Sequence, residues 1–307
     1  MFANKWIFIA ICLLINYSEV SAQTINISTD LIEVSISSKG AELRNLIYKG
    51  SEYMWQGQDG VWGGTSPVLF PVIGPTLNGE YVHEDKTYKM PFHGFALTSS
   101  FRTVEKSENS VTLRLESDSS TLKVYPFEFV FEVNYTIINK KLLVTFFVEN
   151  PADVNLPFEL GFHPGFNCNG GLTNCHVSFS EGPLLYRSPL NDNGKMERFK
   201  TVFPYTNKKI PLFPELFKDR AVILSPVPKG AINLVHQDST FLRLTMDQPS
   251  HLALWSQNDP KAEFICVEPW LGHSDYYNST SEFSKKDDMV NLPPKSSYTY
   301  RYGMEVQ

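Results

Sequence analysis

The 307-residue sequence lacks the features that mark several large protein classes. It has 27 Lys and Arg against 33 Asp and Glu, a net charge of −6, so no basic surface for a nucleic-acid partner is expected. After the first residues, no apolar run approaches the roughly 20 residues of a membrane-spanning helix. The G-x-S-x-G, G-x-G-x-x-G, Walker A and H-E-x-x-H motifs are also absent, which disfavours standard hydrolases, nucleotide-cofactor enzymes and zinc proteases.

Cysteines are few, four in all, and one of them, Cys12, lies in the apolar run near the start. If the protein is exported, Cys168 and Cys175 could form a disulfide. The spacing of the two cysteines does not decide this, because it does not establish the geometry that the bond needs. A zinc site at Cys168, Cys175 and His176 is disfavoured, since the gap between the cysteines exceeds the usual two to four residues. Cys266 lies in an apolar stretch and is expected to be a buried thiol.

The first 22 residues predict a signal peptide. Lys5 precedes an apolar run from Trp6 to Ile15, and small residues at Ser21 and Ala22 suit cleavage after Ala22. We therefore expect residues 23–307 to be the mature chain, periplasmic or secreted, with no stable membrane insertion after cleavage. An uncleaved anchor is the alternative.

Alternating side chains predict β-strands along the mature chain. From Phe127 to Ile137 the odd-numbered positions are apolar and the even-numbered ones mostly polar, the pattern of a half-buried strand. Shorter runs of this kind occur at 111–116, 242–246 and 298–302, and only 215–224 could hold a turn or two of helix. We predict one all-β domain over 23–307, a large sandwich or barrel with mostly antiparallel sheets.

Three short segments each place one titratable residue among aromatic, Gly and Pro neighbours. They are residues 91–95 with His93, 161–167 with His163, and 266–272 with Glu268. His163 and Glu268 precede prolines, so we expect both at strand ends or in fixed loops. Each histidine could instead be a hydrogen-bonded structural residue, and the carboxylate could be paired, because an unpaired buried charge is costly.

A His and a Glu that face one ligand suit the opening of a sugar hemiacetal. The carboxylate would take the proton of the anomeric hydroxyl while the imidazolium protonates the ring oxygen, without a metal or cofactor. Four aromatic side chains could cover the apolar face of a pyranose, although core packing explains each of them equally well. They are Phe92, Phe166, Trp255 and Trp270.

Taken together, the motifs resemble the aldose 1-epimerase (galactose mutarotase-like) family, and most closely its LacX-like branch. The matching segments, in order, are 40–43 (GAEL), 52–57 (EYMWQG), 66–74 (SPVLFPVIG), 93–96 (HGFA), 161–166 (GFHPGF) and 268–272 (EPWLG). The resemblance implies a β-supersandwich that interconverts the α and β anomers of a free aldose. It also implies Glu268 as general base, His163 as general acid and His93 as a sugar ligand, with Asp219, or less distinctively Asp247, as a further sugar ligand.

The sequence departs from the family pattern at two positions. Pro75 and Leu97 stand where the family often has Arg, so a bidentate donor is lost at both places. Together with export, this argues against a sugar-phosphate substrate. Three hypotheses follow: an exported mutarotase for a hexose-like aldose, a non-catalytic carbohydrate-binding protein on the same fold, and an enzyme for an oligosaccharide or modified sugar.

Overall fold

The computed structural model describes residues 22–58, 60–182 and 184–307. The predicted signal peptide, apart from Ala22, therefore lies outside the described residues. Within the described residues, no helix is both long and apolar enough to cross a membrane.

Strands account for most of the regular structure. In chain order they are β1 (Thr24–Ser28), β2 (Ile32–Ser37), β3 (Leu43–Tyr48), β4 (Ser51–Glu52), β5 (Val68–Leu69), β6 (Glu80–His83), β7 (Lys86–Lys89), β8 (Arg102–Lys106), β9 (Ser110–Glu116), β10 (Val130–Ile138), β11 (Lys141–Glu149), β12 (Leu156–Phe158), β13 (Leu160–Phe162), β14 (Gly165–Asn167), β15 (Cys175–Phe179), β16 (Tyr186–Ser188), β17 (Thr201–Val202), β18 (Lys209–Pro211), β19 (Val222–Ser225), β20 (Ile232–His236), β21 (Ser239–Met246), β22 (His251–Trp255), β23 (Phe264–Leu271), β24 (Val290–Leu292) and β25 (Ser297–Val306).

Helices in the described residues are short 3-10 segments. They are Leu77–Gly79, Ala96–Thr98, Thr121–Lys123, Leu172–Asn174, Pro214–Phe217 and Phe283–Lys285. The helical turn predicted within 215–224 is thus limited to its first residues, because Val222 begins β19. Val222, Ile223 and Leu224 are all fully buried, which suits a central strand better than a surface helix.

Two large antiparallel sheets form the body of the fold, which confirms the all-β prediction. The nine-stranded sheet has the order β18-β15-β20-β21-β25-β11-β10-β9-β8, and the eight-stranded sheet has β17-β16-β19-β22-β23-β13-β5, with β14 also paired to β23. Smaller sheets are β1-β2-β3-β4, β12-β24 and β6-β7.

The main core lies between the two large sheets. On β10, Phe131, Val133 and Tyr135 are fully buried while the residues between them are partly exposed, which confirms the predicted alternation. From the facing sheets, the rings of Phe146 and Phe162 meet with centroids 5.4 Å apart. Face-to-face packing of this kind defines a β-sandwich.

The side chains on the outer face of the eight-stranded sheet do not belong to the main core. On β23, Ile265 and Val267 belong to the main core, so Cys266, Glu268 and Trp270 project to the opposite face. Cys266 and Trp270 pack there in small apolar clusters separate from the main core. This face carries the candidate site.

The three cysteines in the described residues are buried free thiols. Cys266 is fully buried, as expected from its apolar run. No disulfide joins Cys168 and Cys175 in the structure. Burial raises the pKa of the Cys168 thiol well above its usual value, and hydrogen bonding with Cys175 raises it further.

Candidate active site

His163 and Glu268 are cross-strand neighbours on the outer face. Strand β23 pairs with β13 (Gly161 opposite Trp270) and again with β14 (Gly165 opposite Cys266). β13 and β14 pair with β23 in the same register. His163, which lies between β13 and β14, is therefore directly opposite Glu268. Directly opposed residues have Cβ atoms about 5 Å apart, close enough for their side chains to meet.

Glu268 lies in the middle of β23, so the expectation of a strand end or loop was wrong for this residue. Pro269, which follows Glu268, has no backbone N–H to donate. It is tolerated because the segment opposite is not paired with β23 between Phe162 and Gly165. The other side of β23 stays paired, with Ala253 opposite Glu268. His163 does follow a strand end, as predicted, and its N–H donates to the Pro67 carbonyl at 3.0 Å.

Direct contact links the two side chains. Nε2 of His163 lies 3.4 Å from Oε1 of Glu268, and the Trp270 indole N–H donates to Oε2 of Glu268 at 3.2 Å. Burial raises the pKa of Glu268 well above its usual value, opposed by the bond from Trp270. Burial also lowers the pKa of His163 to about 4. When the pair holds one proton, burial therefore favours the state in which both side chains are uncharged.

His93 is held by two reciprocal hydrogen bonds with Gly74. The His93 N–H donates to the Gly74 carbonyl at 3.1 Å, and the Gly74 N–H donates to Nδ1 of His93 at 3.0 Å. Burial, with a smaller contribution from His163, lowers the pKa of His93 well below its usual value. The ring is then neutral with its proton on Nε2, so it can donate a hydrogen bond to a ligand oxygen. The ring centroids of His93 and His163 are 5.9 Å apart.

Glycine is required beside His93. Gly94 has φ +76°, and a Cβ there would stand 2.1 Å from the Phe70 carbonyl oxygen. His93 itself has φ +64°, a conformation that is uncommon outside glycine. This turn therefore presents the imidazole at the cost of local backbone strain.

The three titratable residues line one cavity of about 370 Å³ on the outer face. That volume lies within the range of about 300–1,000 Å³ that is usual for small-molecule sites. Of the aromatic side chains proposed from the sequence, Phe92, Trp255 and Trp270 line this cavity. Phe92 is exposed, whereas Trp270 is almost fully buried.

The structure does not bring the other proposed sugar ligands to the cavity. Phe166 is fully buried in the main core, because on β14 it faces inward while Gly165 faces outward. Asp219 is not among the lining residues, and its carboxylate lies 3.9 Å from Nη2 of Arg187. Asp247 accepts the backbone N–H of Arg301, a residue of the nine-stranded sheet.

Trp62 lines the cavity and was not predicted. Its ring lies 5.0 Å from that of His163 and 5.3 Å from that of Trp255, so the three rings form one wall. A Cβ on Gly64 or Gly165 would come within 2.7 Å of the Trp62 ring. The two glycines therefore leave space for the indole. In the sequence, these glycines were the only indication that a bulky side chain packs beside them.

A buried ionic network supports the loops behind the cavity. Nζ of Lys286 lies 2.7 Å from Oε1 of Glu159 and 3.0 Å from Oδ1 of Asp275. Glu159 also accepts the Ile73 N–H at 2.8 Å. Burial raises the pKa of Glu159 to about 7, although Lys286 opposes this. The network connects the segments that carry Gly74 and Ser274, which both line the cavity.

Within the part of the chain that the structure describes, one set of ligand-type atoms could accept a metal ion. The nearest donor atoms of His163, Cys266 and Glu268 lie within 4.8 Å of one another. Burial raises the pKa of the Cys266 thiol well above its usual value, so a metal would have to displace a tightly held proton.

Comparison with known proteins agrees with the fold. The family model for aldose 1-epimerase matches residues 23–305, so the chain belongs to the aldose 1-epimerase family. Protein LacX (plasmid) of Lactococcus lactis subsp. lactis is 27% identical over 309 residues, covering 92% of this chain and 99% of the relative.

Two solved structures are similar over nearly their whole length. A galactose mutarotase related enzyme from Lactobacillus acidophilus superposes with a TM-score of 0.87 at 30% identity, covering 93% of this chain and 97% of that one. A galactose mutarotase-like protein from Lactobacillus casei gives 0.87 at 28% identity, covering 93% and 100%. The fold is thus galactose mutarotase-like, as the motifs indicated.

Proposed function

We propose that this protein is an exported aldose 1-epimerase that interconverts the α and β anomers of an aldose without a cofactor. The observation that carries the proposal is the 3.4 Å contact between Nε2 of His163 and Oε1 of Glu268 on the wall of one cavity. The anomeric hydroxyl and the ring oxygen of a pyranose are bonded to the same carbon. An acid and a base that serve both must therefore stand close together.

Ring opening needs the single proton of the pair on His163. Glu268 as carboxylate removes the proton of the anomeric hydroxyl while His163 protonates the ring oxygen, which breaks the C1–O5 bond and leaves an open-chain aldehyde. Rotation about C1–C2 and closure on the other face give the other anomer. The ionised and neutral forms of the pair carry the same total charge, so the cavity neither gains nor loses charge when the proton moves.

The remaining groups have supporting roles in this proposal. His93, neutral and with Nε2–H free to donate, hydrogen-bonds a sugar oxygen and stabilises charge that develops during opening. Trp62 and Trp255 supply the apolar wall against one face of the pyranose. Trp270 holds Oε2 of Glu268, which leaves Oε1 for the sugar.

The second candidate is a non-catalytic carbohydrate-binding protein on the same fold. Pro75 and Leu97 favour it, because both line the cavity and neither offers a side-chain hydrogen bond. The acid–base pair favours the enzyme, since binding alone does not need one.

Polarimetry or NMR of freshly dissolved α-glucose and α-galactose tests the proposal. Catalysed relaxation that disappears in Glu268→Gln is expected. Binding without acceleration would favour the second candidate, and no effect on simple aldoses would favour an oligosaccharide or modified sugar. Export is tested separately, by N-terminal sequencing of protein recovered outside the cytoplasm, where a chain that starts at Gln23 is expected.

A further inference from the structure

Arg220 provides a permanent positive charge at the edge of the cavity. Among the described residues that line it, Arg220 is the only Lys or Arg. It follows the 3-10 segment Pro214–Phe217 and has φ +69°, with its backbone N–H donating to the Phe217 carbonyl at 3.0 Å. This side chain has no part in the proposed ring opening.

The loop that contains Asp192 contacts the guanidinium of Arg220. Nη2 of Arg220 donates to the Asp192 carbonyl at 2.7 Å. The loop is itself ordered by Asn191, whose Oδ1 accepts the N–H groups of Asn193 at 3.0 Å and Lys195 at 3.1 Å. The hydrogen bond therefore places the exposed Arg220 side chain against this loop.

This cation has no acidic partner among the described residues. Its neighbour Asp219 lies beside Arg187 instead, at 3.9 Å. A Cβ added to Gly194 would stand 3.8 Å from Nη1 of Arg220 and 3.8 Å from Cγ of Pro75. The guanidinium thus flanks the space beside Pro75, a position where the family often has Arg.

Arg220 and Glu268 stand on different sides of the cavity. Ile223 of β19 is opposite Ala253 of β22, which is opposite Glu268 of β23. Two strand spacings, about 10 Å, therefore separate β19 from β23, and Arg220 precedes β19. A pyranose with C1 at Glu268 would direct its remote substituents toward Arg220.

We propose that Arg220 binds an anionic substituent, a carboxylate or a phosphate, on the part of the aldose remote from C1. The inference rests on the proposed function in one respect, that C1 lies at the His163–Glu268 pair. A guanidinium stays charged at every physiological pH and matches the geometry of carboxylate and phosphate oxygens with two parallel donors. The preferred substrates are then acidic aldoses, in contrast to the expectation drawn from Pro75 and Leu97.

Equilibrium binding tests this without any need for turnover. Calorimetric titration at low salt would compare glucose, glucuronate and glucose 6-phosphate on the wild type, Arg220→Gln and Arg220→Lys. We expect at least one anionic sugar to bind about tenfold tighter than glucose, as a charge-assisted hydrogen bond implies. Arg220→Gln should remove that advantage while changing glucose binding less than about twofold, and Arg220→Lys should retain part of it. Comparison of the two anionic sugars identifies which group is recognised.

Lys218→Gln is the matched control, because it removes the same charge two residues before Arg220. The Lys218 side chain is exposed and does not line the cavity. It should leave all three affinities unchanged. Equal binding of neutral and anionic sugars, an equal loss for all three in Arg220→Gln, or the same loss in Lys218→Gln would overturn the proposal. Polarimetry is independent of these titrations. A wild type that prefers acidic sugars but catalyses nothing would refute the mutarotase and keep the role of Arg220.

Discussion

Nε2 of His163 lies 3.4 Å from Oε1 of Glu268, across a break where one strand of the eight-stranded sheet changes its partner. The register on both sides of the break is the same, so the contact is set by strand pairing rather than by a flexible loop. The paired residues on both sides of the break therefore hold His163 and Glu268 opposite each other.

Replacement of Glu268 with Gln should reduce kcat for mutarotation by about 10²–10⁴-fold, because the amide cannot accept the anomeric proton. Affinity for the sugar should change much less, since Gln keeps the shape of the side chain. Polarimetry gives the rate and calorimetry the affinity. Glu263→Gln, at an exposed position immediately before the same strand, is the control and should have normal activity.

The pH profile of kcat/KM should be bell-shaped, because activity requires one proton on the His163–Glu268 pair. Burial lowers the pKa of His163 to about 4 and raises that of Glu268 well above 4.5. Activity should fall below about pH 4, where the pair gains a second proton, and again at high pH, where it loses its only proton. An acid limb near pH 6.5, the value of an unperturbed histidine, would contradict a buried pair.

Gly94→Ala should destabilise the protein by at least about 2 kcal/mol, since the added methyl would overlap the Phe70 carbonyl oxygen and the backbone has φ +76°. The turn that holds His93 should distort, so activity should fall even at temperatures where the variant is folded. Urea denaturation and polarimetry measure the two effects. Gly50→Ala is the control for backbone strain alone, because φ is +80° there but a Cβ would have open space. It should lower the free energy of unfolding by less than Gly94→Ala does.

Lys286→Met should lower the free energy of unfolding by about 3–5 kcal/mol, because the carboxylates of Glu159 and Asp275 would be left buried without their cation. Burial alone would lower the pKa of Lys286, but the attraction of Glu159 and Asp275 outweighs this effect and raises it. Chemical denaturation gives the change. Lys285→Met, at the exposed neighbouring position, should be nearly neutral, and equal losses in both variants would contradict a buried network.

The strand pattern and the motif residues were predictable from the sequence. Period-two alternation identified the buried face of β10 because a strand that is half exposed must separate its apolar and polar sides. His93, His163 and Glu268 stood out because each is a titratable residue among aromatic, Gly and Pro neighbours, and the structure places all three on one cavity.

Which side of the eight-stranded sheet forms the cavity was decided by the tertiary structure. Its central strands are buried on both faces, so alternation does not distinguish inward from outward. Phe166 was therefore indistinguishable by sequence from a cavity residue, yet it faces the core. Asp219 and Arg220 are adjacent in an irregular segment, where no period predicts which of the two side chains reaches the cavity.

Long-range packing determined the remaining members of the site. Trp62 comes from a loop roughly a hundred residues before His163 and reaches it only because Gly64 and Gly165 leave space for its ring. The fold class and the three titratable residues were predictable because both depend on local pattern and residue chemistry. The cavity wall and the position of Arg220 were not, because they depend on how distant segments meet across the sheet.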